Sequence, residues 1–229
     1  MKVVQNLPNA LTLSNLLMGT IAILATFHHS YELVTYLIGG CLLADILDGA
    51  LARKLGVDGE LGIQLDSLAD VVSFGVLPAV IMFHIATPLF ENDIIPLFLS
   101  AIIAVSAGLR LARFNVDTRP REYFWGLATP SGAIMVAALG WSVLLRKDFD
   151  EQIELLKYVV WVLPIFLAVM YQVALKLPGL KSPKAGIYTL VVIAALTIVG
   201  TVLLGPIAIT MGIALYVMLG ILNLVVKWY

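Results

Sequence analysis

Asp45-Ile-Leu-Asp-Gly-Ala-Leu-Ala-Arg53 and, eight residues on, Gly62-Ile-Gln-Leu-Asp-Ser-Leu-Ala-Asp70 put four carboxylates and a guanidinium beside segments apolar enough to span a bilayer. Acids in such places are costly and usually functional. Asp45 and Asp48 are three residues apart, Asp66 and Asp70 four apart, so each pair shares one helix face. The connection over 54–61 is short and contains Gly56 and Gly59. It makes the two helices antiparallel neighbours and brings both pairs to a similar depth. Four facing carboxylates repel unless cations or protons intervene. An all-carboxylate donor set suits hard divalent ions, Mg²⁺ or Mn²⁺. Two such ions a few ångströms apart is the arrangement used for displacement at phosphorus. Zinc has no support, because His28 and His29 fall in a connection at the opposite end and His84 lies far along the third apolar segment.

Gly49, Ala52 and Gly62 are interleaved with the acids. Their small side chains leave room for a bulky or flat group to reach the backbone, and Arg53 offers a two-pronged fork for phosphate. Taken alone, the glycines also fit close helix packing, which is common in membranes.

The elements that must hold these residues are transmembrane helices. The chain has 229 residues, 61% hydrophobic and 13% charged, with mean hydropathy +1.00. A soluble domain carries about a quarter charged residues. A spanning helix needs about 20 apolar residues. Eight candidates occur, over 11–27, 34–51, 63–85, 94–111, 127–145, 155–175, 187–204 and 207–226. The last two meet at Gly205-Pro206, a turn signal. Gly75 and Pro78 are expected to bend the outer half of the third helix. The expected architecture is an all-α polytopic bundle forming a single integral-membrane domain over 1–229. Its catalytic core covers about 7–175, with extra helices over about 186–227. The lone Cys41 excludes an internal disulfide and reads as a small buried hydrophobe. The N-terminal stretch lacks a small-residue cleavage site, so no cleaved signal peptide is expected.

Orientation follows from lysine and arginine in the short connections. With both termini inside, Lys2, Arg53, Lys54, Arg110, Arg113, Arg119, Arg121, Lys176, Lys181, Lys184 and Lys227 are cytoplasmic, leaving Arg146, Lys147 and Lys157 of the 14 outside. The carboxylates then lie at the cytoplasmic face of a bacterial-type inner membrane. The two basic connections, over 113–122 and 176–184, fit anchoring near anionic lipid.

The pattern Asp45-x2-Asp48-Gly49-x2-Ala52-Arg53-x8-Gly62-x3-Asp66-x3-Asp70 resembles the signature of the CDP-alcohol phosphotransferases without a departure. The resemblance implies a six-helix core, usually a homodimer, with the site open to the cytoplasm. It implies attack of an alcohol on the β-phosphorus of a CDP-linked lipid, with release of CMP and dependence on two divalent cations. It casts Asp45, Asp48, Asp66 and Asp70 as metal ligands, with Asp70 also the general base, and Gly49, Ala52, Arg53 and Gly62, with Asp48, as CDP-binding positions. Asn9 and Thr12, at the start of the first helix, fit either nucleotide contact or helix capping.

Sequence over 65–79, 110–115, 123–131 and 7–16 is similar to the phosphatidylserine synthase branch, in which CDP-diacylglycerol is the donor and L-serine the acceptor. Ala128 departs from it, standing where that branch carries proline. A serine carboxylate asks for cationic donors. Arg110 and Arg113 share a face at the end of the fourth helix and fit that role or snorkelling to the interface. Asn115 could add a hydrogen bond, and Ser73, three residues beyond Asp70, fits either the acceptor pocket or an interhelical bond. Glycerol 3-phosphate, inositol phosphate or choline as acceptor and an archaeal-type lipid donor remain open. A reading of another class, a cation transporter, gives the signature glycines no role and predicts transport without CMP release.

Overall fold

Eight helices make up nearly all of the computed structural model, which describes residues 6–57, 59–116, 124–149, 151–173, 175–177 and 184–226. They are α1 (Leu7–Phe27), α2 (Tyr31–Leu55), α3 (Glu60–Leu89), α4 (Ile94–Val116), α5 (Thr129–Leu145), α6 (Ile153–Gln172), α7 (Lys184–Leu204) and α8 (Ile207–Val226). Among the described residues, six of them are long and apolar enough to cross a membrane, and α5 is a shorter apolar helix. A 21-residue helix such as α1 rises about 31 Å, the thickness of a bilayer's hydrocarbon core. The surface is apolar to match: Leu17, Leu24, Tyr36, Phe98, Val105, Val162, Ile198 and Val202 all stand exposed. Lipid is the solvent such a surface requires. The chain is an integral membrane protein with the all-α polytopic fold expected from its hydropathy.

α3 is the central element. In its most apolar window 61% of the residues are buried, against 6% for α7. α1 packs along α2 and α3, α4 runs beside α3 and α6, and α8 joins α7 to α5. Small residues make these approaches close. Gly19 leaves the space that the Ser73 hydroxyl occupies, and a Cβ on Gly75 would sit 3.3 Å from that of Ala107. Between lipid-solvated helices, such close van der Waals packing supplies most of the attraction. Phe74, Leu77, Met82, Ile85, Ile103, Met135 and Leu139 fill the centre and are fully buried.

Helix ends follow local chemistry. α2 stops at Gly56, whose φ of 62° is left-handed and suits glycine. Arg53 and Lys54 in its last turn complement the helix dipole. α1 begins at Leu7 with Pro8 in its first turn, where the missing N–H is harmless.

Three departures from the sequence expectations have physical causes. Gly75 and Pro78, from which the sequence predicts a bend, adjoin a π-helical run, Val71–Val76, immediately after Asp70. Pro78 follows within the same continuous helix, where its missing N–H leaves a carbonyl of the preceding turn without a helical donor. α6 ends at Gln172 rather than 175, because Val173 turns extended and Lys176–Leu177 (β2) pairs antiparallel with Phe124–Trp125 (β1). α5 starts at Thr129 rather than 127, because Gly126 and Leu127 donate backbone bonds to the carbonyls of Leu175 and Met170. Gly126 is required there twice over. Its φ is +73°, and a Cβ would meet the Val173 carbonyl at 2.8 Å. Lys2, Arg119, Arg121, Lys181 and Lys227, part of the basic-connection and orientation reading, lie outside the described residues.

Candidate active site

The carboxylates gather where α2, α3 and α1 meet. Asp45 and Asp48 project from the last turns of α2, Asp66 and Asp70 from the first turns of α3. One carboxylate oxygen from each of Asp45, Asp48 and Asp66 lies within 4.8 Å of the others. Octahedral Mg²⁺ holds oxygens at about 2.0–2.1 Å, so ligand oxygens on one ion stand about 3–4 Å apart. The triad therefore fits a hard divalent cation with small adjustments, and its all-oxygen donor set fits the same ion type.

Asp48 is 4% exposed. Its Oδ2 accepts a 2.6 Å hydrogen bond from Thr12 Oγ1, which reaches across from α1. An anionic acceptor makes that bond strong and fixes the rotamer of the carboxylate. Thr12 therefore orients one acid of the triad. It does not cap α1, whose N-cap is Asn6.

Asp70 is 7% exposed and stands apart from the triad. Its Oδ1 is buried and has no hydrogen-bond partner. The charges of Asp45, Asp48, Asp66 and Arg110 all act on it. A buried polar atom without a partner is expensive and calls for a ligand or water.

The expected CDP positions flank these acids on the same helices, with Asn9 on α1. The Arg53 guanidinium lies over Gly49, with Nη1 3.3 Å from where a Cβ would stand. Across from it Asn9 Oδ1 sits 3.3 Å from the missing Cβ of Gly62. Ala52 is half-buried on the same helix end as Arg53, which is exposed. The two glycines thus open space beneath two polar groups, one cationic and one an amide.

The four expected serine positions separate. Arg110 turns toward Asp70, with its Nη1 3.5 Å from Thr129 Oγ1 and its Nε buried and unpartnered. Arg113 instead donates to Gln172 Oε1 at 2.7 Å. Asn115 donates to Ser67 Oγ at 2.8 Å and ties α4 to α3. Ser73 is fully buried and donates to the Asn15 carbonyl at 3.2 Å. Of its two sequence readings, the interhelical bond is the one formed. Only Arg110 of the four faces Asp70 with an unused donor.

Thr129 and Tyr171 stand beside Arg110 and were not singled out from sequence. Tyr171 is 4% exposed; its hydroxyl donates to the Thr129 carbonyl at 3.4 Å, in space that Gly132 leaves free. Thr129 belonged to a stretch noted for similarity. Tyr171, 101 positions after Asp70, carries no local signal.

A family model for CDP-alcohol phosphatidyltransferases matches residues 5–170. Curated relatives include three CDP-diacylglycerol–serine O-phosphatidyltransferases. That of Mycobacterium leprae is 37% identical over 144 residues, 59% of this chain and 46% of the relative. That of Methanocaldococcus jannaschii is 40% identical over 126 residues, 55% of each. That of Helicobacter pylori is 34% identical over 131 residues, 56% and 54%. The chain thus spans about half the length of the relatives it matches.

Proposed function

The chain belongs to the CDP-alcohol phosphatidyltransferase family, and we propose that it transfers the phosphatidyl group of CDP-diacylglycerol to the hydroxyl of L-serine, giving phosphatidylserine and CMP. The observation that carries this reading is the Asp45–Asp48–Asp66 triad, with oxygens within 4.8 Å, set beside a separate buried carboxylate, Asp70, that has an unpartnered oxygen. The names of the relatives support serine as the acceptor.

Asp45, Asp48 and Asp66, with Asp70 as the fourth acid, would hold two divalent cations, Mg²⁺ or Mn²⁺, and the bound ions would neutralise charge on the diphosphate and make CMP a better leaving group. The chain's own groups do the rest. Arg53, above Gly49, and Asn9, above Gly62, receive the nucleotide part of the donor. Asp70 accepts the serine proton as the hydroxyl oxygen attacks the phosphatidyl phosphorus. The new P–O bond forms as the bond to the CMP oxygen breaks, and CMP leaves with that electron pair. Arg110 takes the serine carboxylate. The site faces the cytoplasmic side, which the excess of lysine and arginine in the connections at the carboxylate end supports.

Purified protein in detergent with Mn²⁺ or Mg²⁺, CDP-diacylglycerol and labelled serine is expected to release CMP and form labelled phosphatidylserine. Turnover with glycerol 3-phosphate and none with serine would overturn the acceptor. Absence of CMP release with every alcohol and either metal would overturn the reaction.

A further inference from the structure

Arg110 and Asp70 are an unusual pair. Each carries a buried polar atom with no partner, Nε on the arginine and Oδ1 on the aspartate. Their charges act on each other, yet among the described residues they form no ion pair. Opposite charges buried side by side normally close to contact, since separation in a medium of low polarity is costly. Each therefore keeps an unused bonding atom that a small polar molecule, entering between the two side chains as they shift apart, would satisfy.

The groups on either side define its chemistry. On one side Asp70 offers a carboxylate, suited to a hydroxyl proton. On the other, Arg110 Nη1 is spent loosely on Thr129 Oγ1 at 3.5 Å, which leaves the Nε edge free for a bidentate carboxylate. Thr129 is 1% exposed. Because its Oγ1 accepts from Arg110, its hydroxyl proton is directed elsewhere and is available to a second acceptor. Tyr171 fixes this corner by bonding the Thr129 carbonyl. Gly132 admits the tyrosine hydroxyl.

We propose that Thr129 is a specificity-determining residue of the acceptor subsite. Together with the free edge of Arg110, its hydroxyl binds the carboxylate of a small hydroxy acid whose alcohol reaches Asp70. Tyr171 is a positioning residue that holds Thr129 in place. This deepens the serine reading and rests on it. Ser73, whose hydroxyl is spent on the Asn15 carbonyl, and the exposed Arg113 and Asn115, which turn to Gln172 and Ser67, then lie outside the subsite.

The test compares Thr129→Val, Thr129→Ser and the unaltered protein, with KM measured for serine and for CDP-diacylglycerol. Thr129→Val keeps the shape and removes the hydroxyl. It is expected to raise the KM for serine about 10-fold, the effect of one lost hydrogen bond to a charged group, and to leave the KM for the lipid unchanged. Thr129→Ser is expected to restore the KM for serine. In the unaltered protein, 3-hydroxypropionate, which keeps the carboxylate and alcohol, should compete with serine, and ethanolamine, which lacks the carboxylate, should not. An unchanged KM for serine in Thr129→Val, or equal rises for both substrates, overturns the assignment, as does competition by ethanolamine as strong as that by 3-hydroxypropionate. Failure of the unaltered protein to use serine at all overturns the serine reading itself. If Thr129→Val does not fold, the serine variant and the two competitors still decide.

Discussion

Asp70 and Thr12 show how differently two polar side chains around one site behave. Asp70 has an oxygen with nothing to bond, while Thr12 is committed to Asp48 at 2.6 Å. If Asp70 is the base, Asp70→Asn removes the proton acceptor and keeps the shape. CMP release should fall by about 10²–10⁴-fold, with CDP-lipid binding, read by equilibrium titration, largely intact. Loss of the folded protein instead would assign Asp70 a structural role. Thr12→Val removes the donor that orients Asp48. Outer partners of metal ligands are worth about 10–100-fold in affinity, so Mn²⁺ titration should show weakening in that range. The four acids were legible in sequence because their spacing and their cost in an apolar chain both single them out. Thr129 and Tyr171 were not, because their significance lies in neighbours 19 and 42 residues away.

α1 and α3 illustrate what a helix pattern conveys and what it hides. Hydropathy located both, with ends shifted by a few residues, since charged and polar residues in the last turns continue a helix without adding hydropathy. The π-helical run Val71–Val76 was not legible, since the sequence predicts only a bend from Gly75 and Pro78 and no residue type demands the wider turn. It lies directly after Asp70 and contains Ser73, whose hydroxyl fits into the gap left by Gly19 and bonds the Asn15 carbonyl. That seam holds α1, and with it Thr12, against the acids. Gly19→Ala would drive a Cβ into the Ser73 hydroxyl and should cost about 1–3 kcal/mol through overpacking, read as a lowered thermal midpoint in detergent. Ser73→Ala alone should cost about 1 kcal/mol for the lost bond. Combined, the two should cost less than their sum, because the second removes the hydroxyl that the new Cβ would strike, leaving only the 3.1 Å approaches to the Cα and Cβ of residue 73. Simple additivity would mean that α1 and α3 do not meet closely there.

Across the whole molecule, the acids, Arg53 and Arg110 lie at one end of the bundle, and the His28–His29 and Glu91–Asp93 turns at the other. A polar site at one end suits a donor whose nucleotide is soluble and whose tails stay in the bilayer. α7 packs chiefly on α8 and faces lipid along most of its described length. α8 is tied in more firmly, with Val217 fully buried and Thr210 donating to the Met135 carbonyl at 2.8 Å. Which way the bundle points follows from charge alone, and one experiment reads it. The native thiol, Cys41, is fully buried, so it should stay silent toward a membrane-impermeant maleimide. Glu91 is exposed between α3 and α4, and Gly59 is exposed with open space where a Cβ would be. In intact cells of a bacterial expression host with a permeabilised outer membrane, Glu91→Cys should label and Gly59→Cys should not. In inverted inner-membrane vesicles the pattern should reverse. Labelling of Gly59→Cys from outside would place the acids on the outer face, away from the cytoplasmic pool of serine that the proposed reaction consumes.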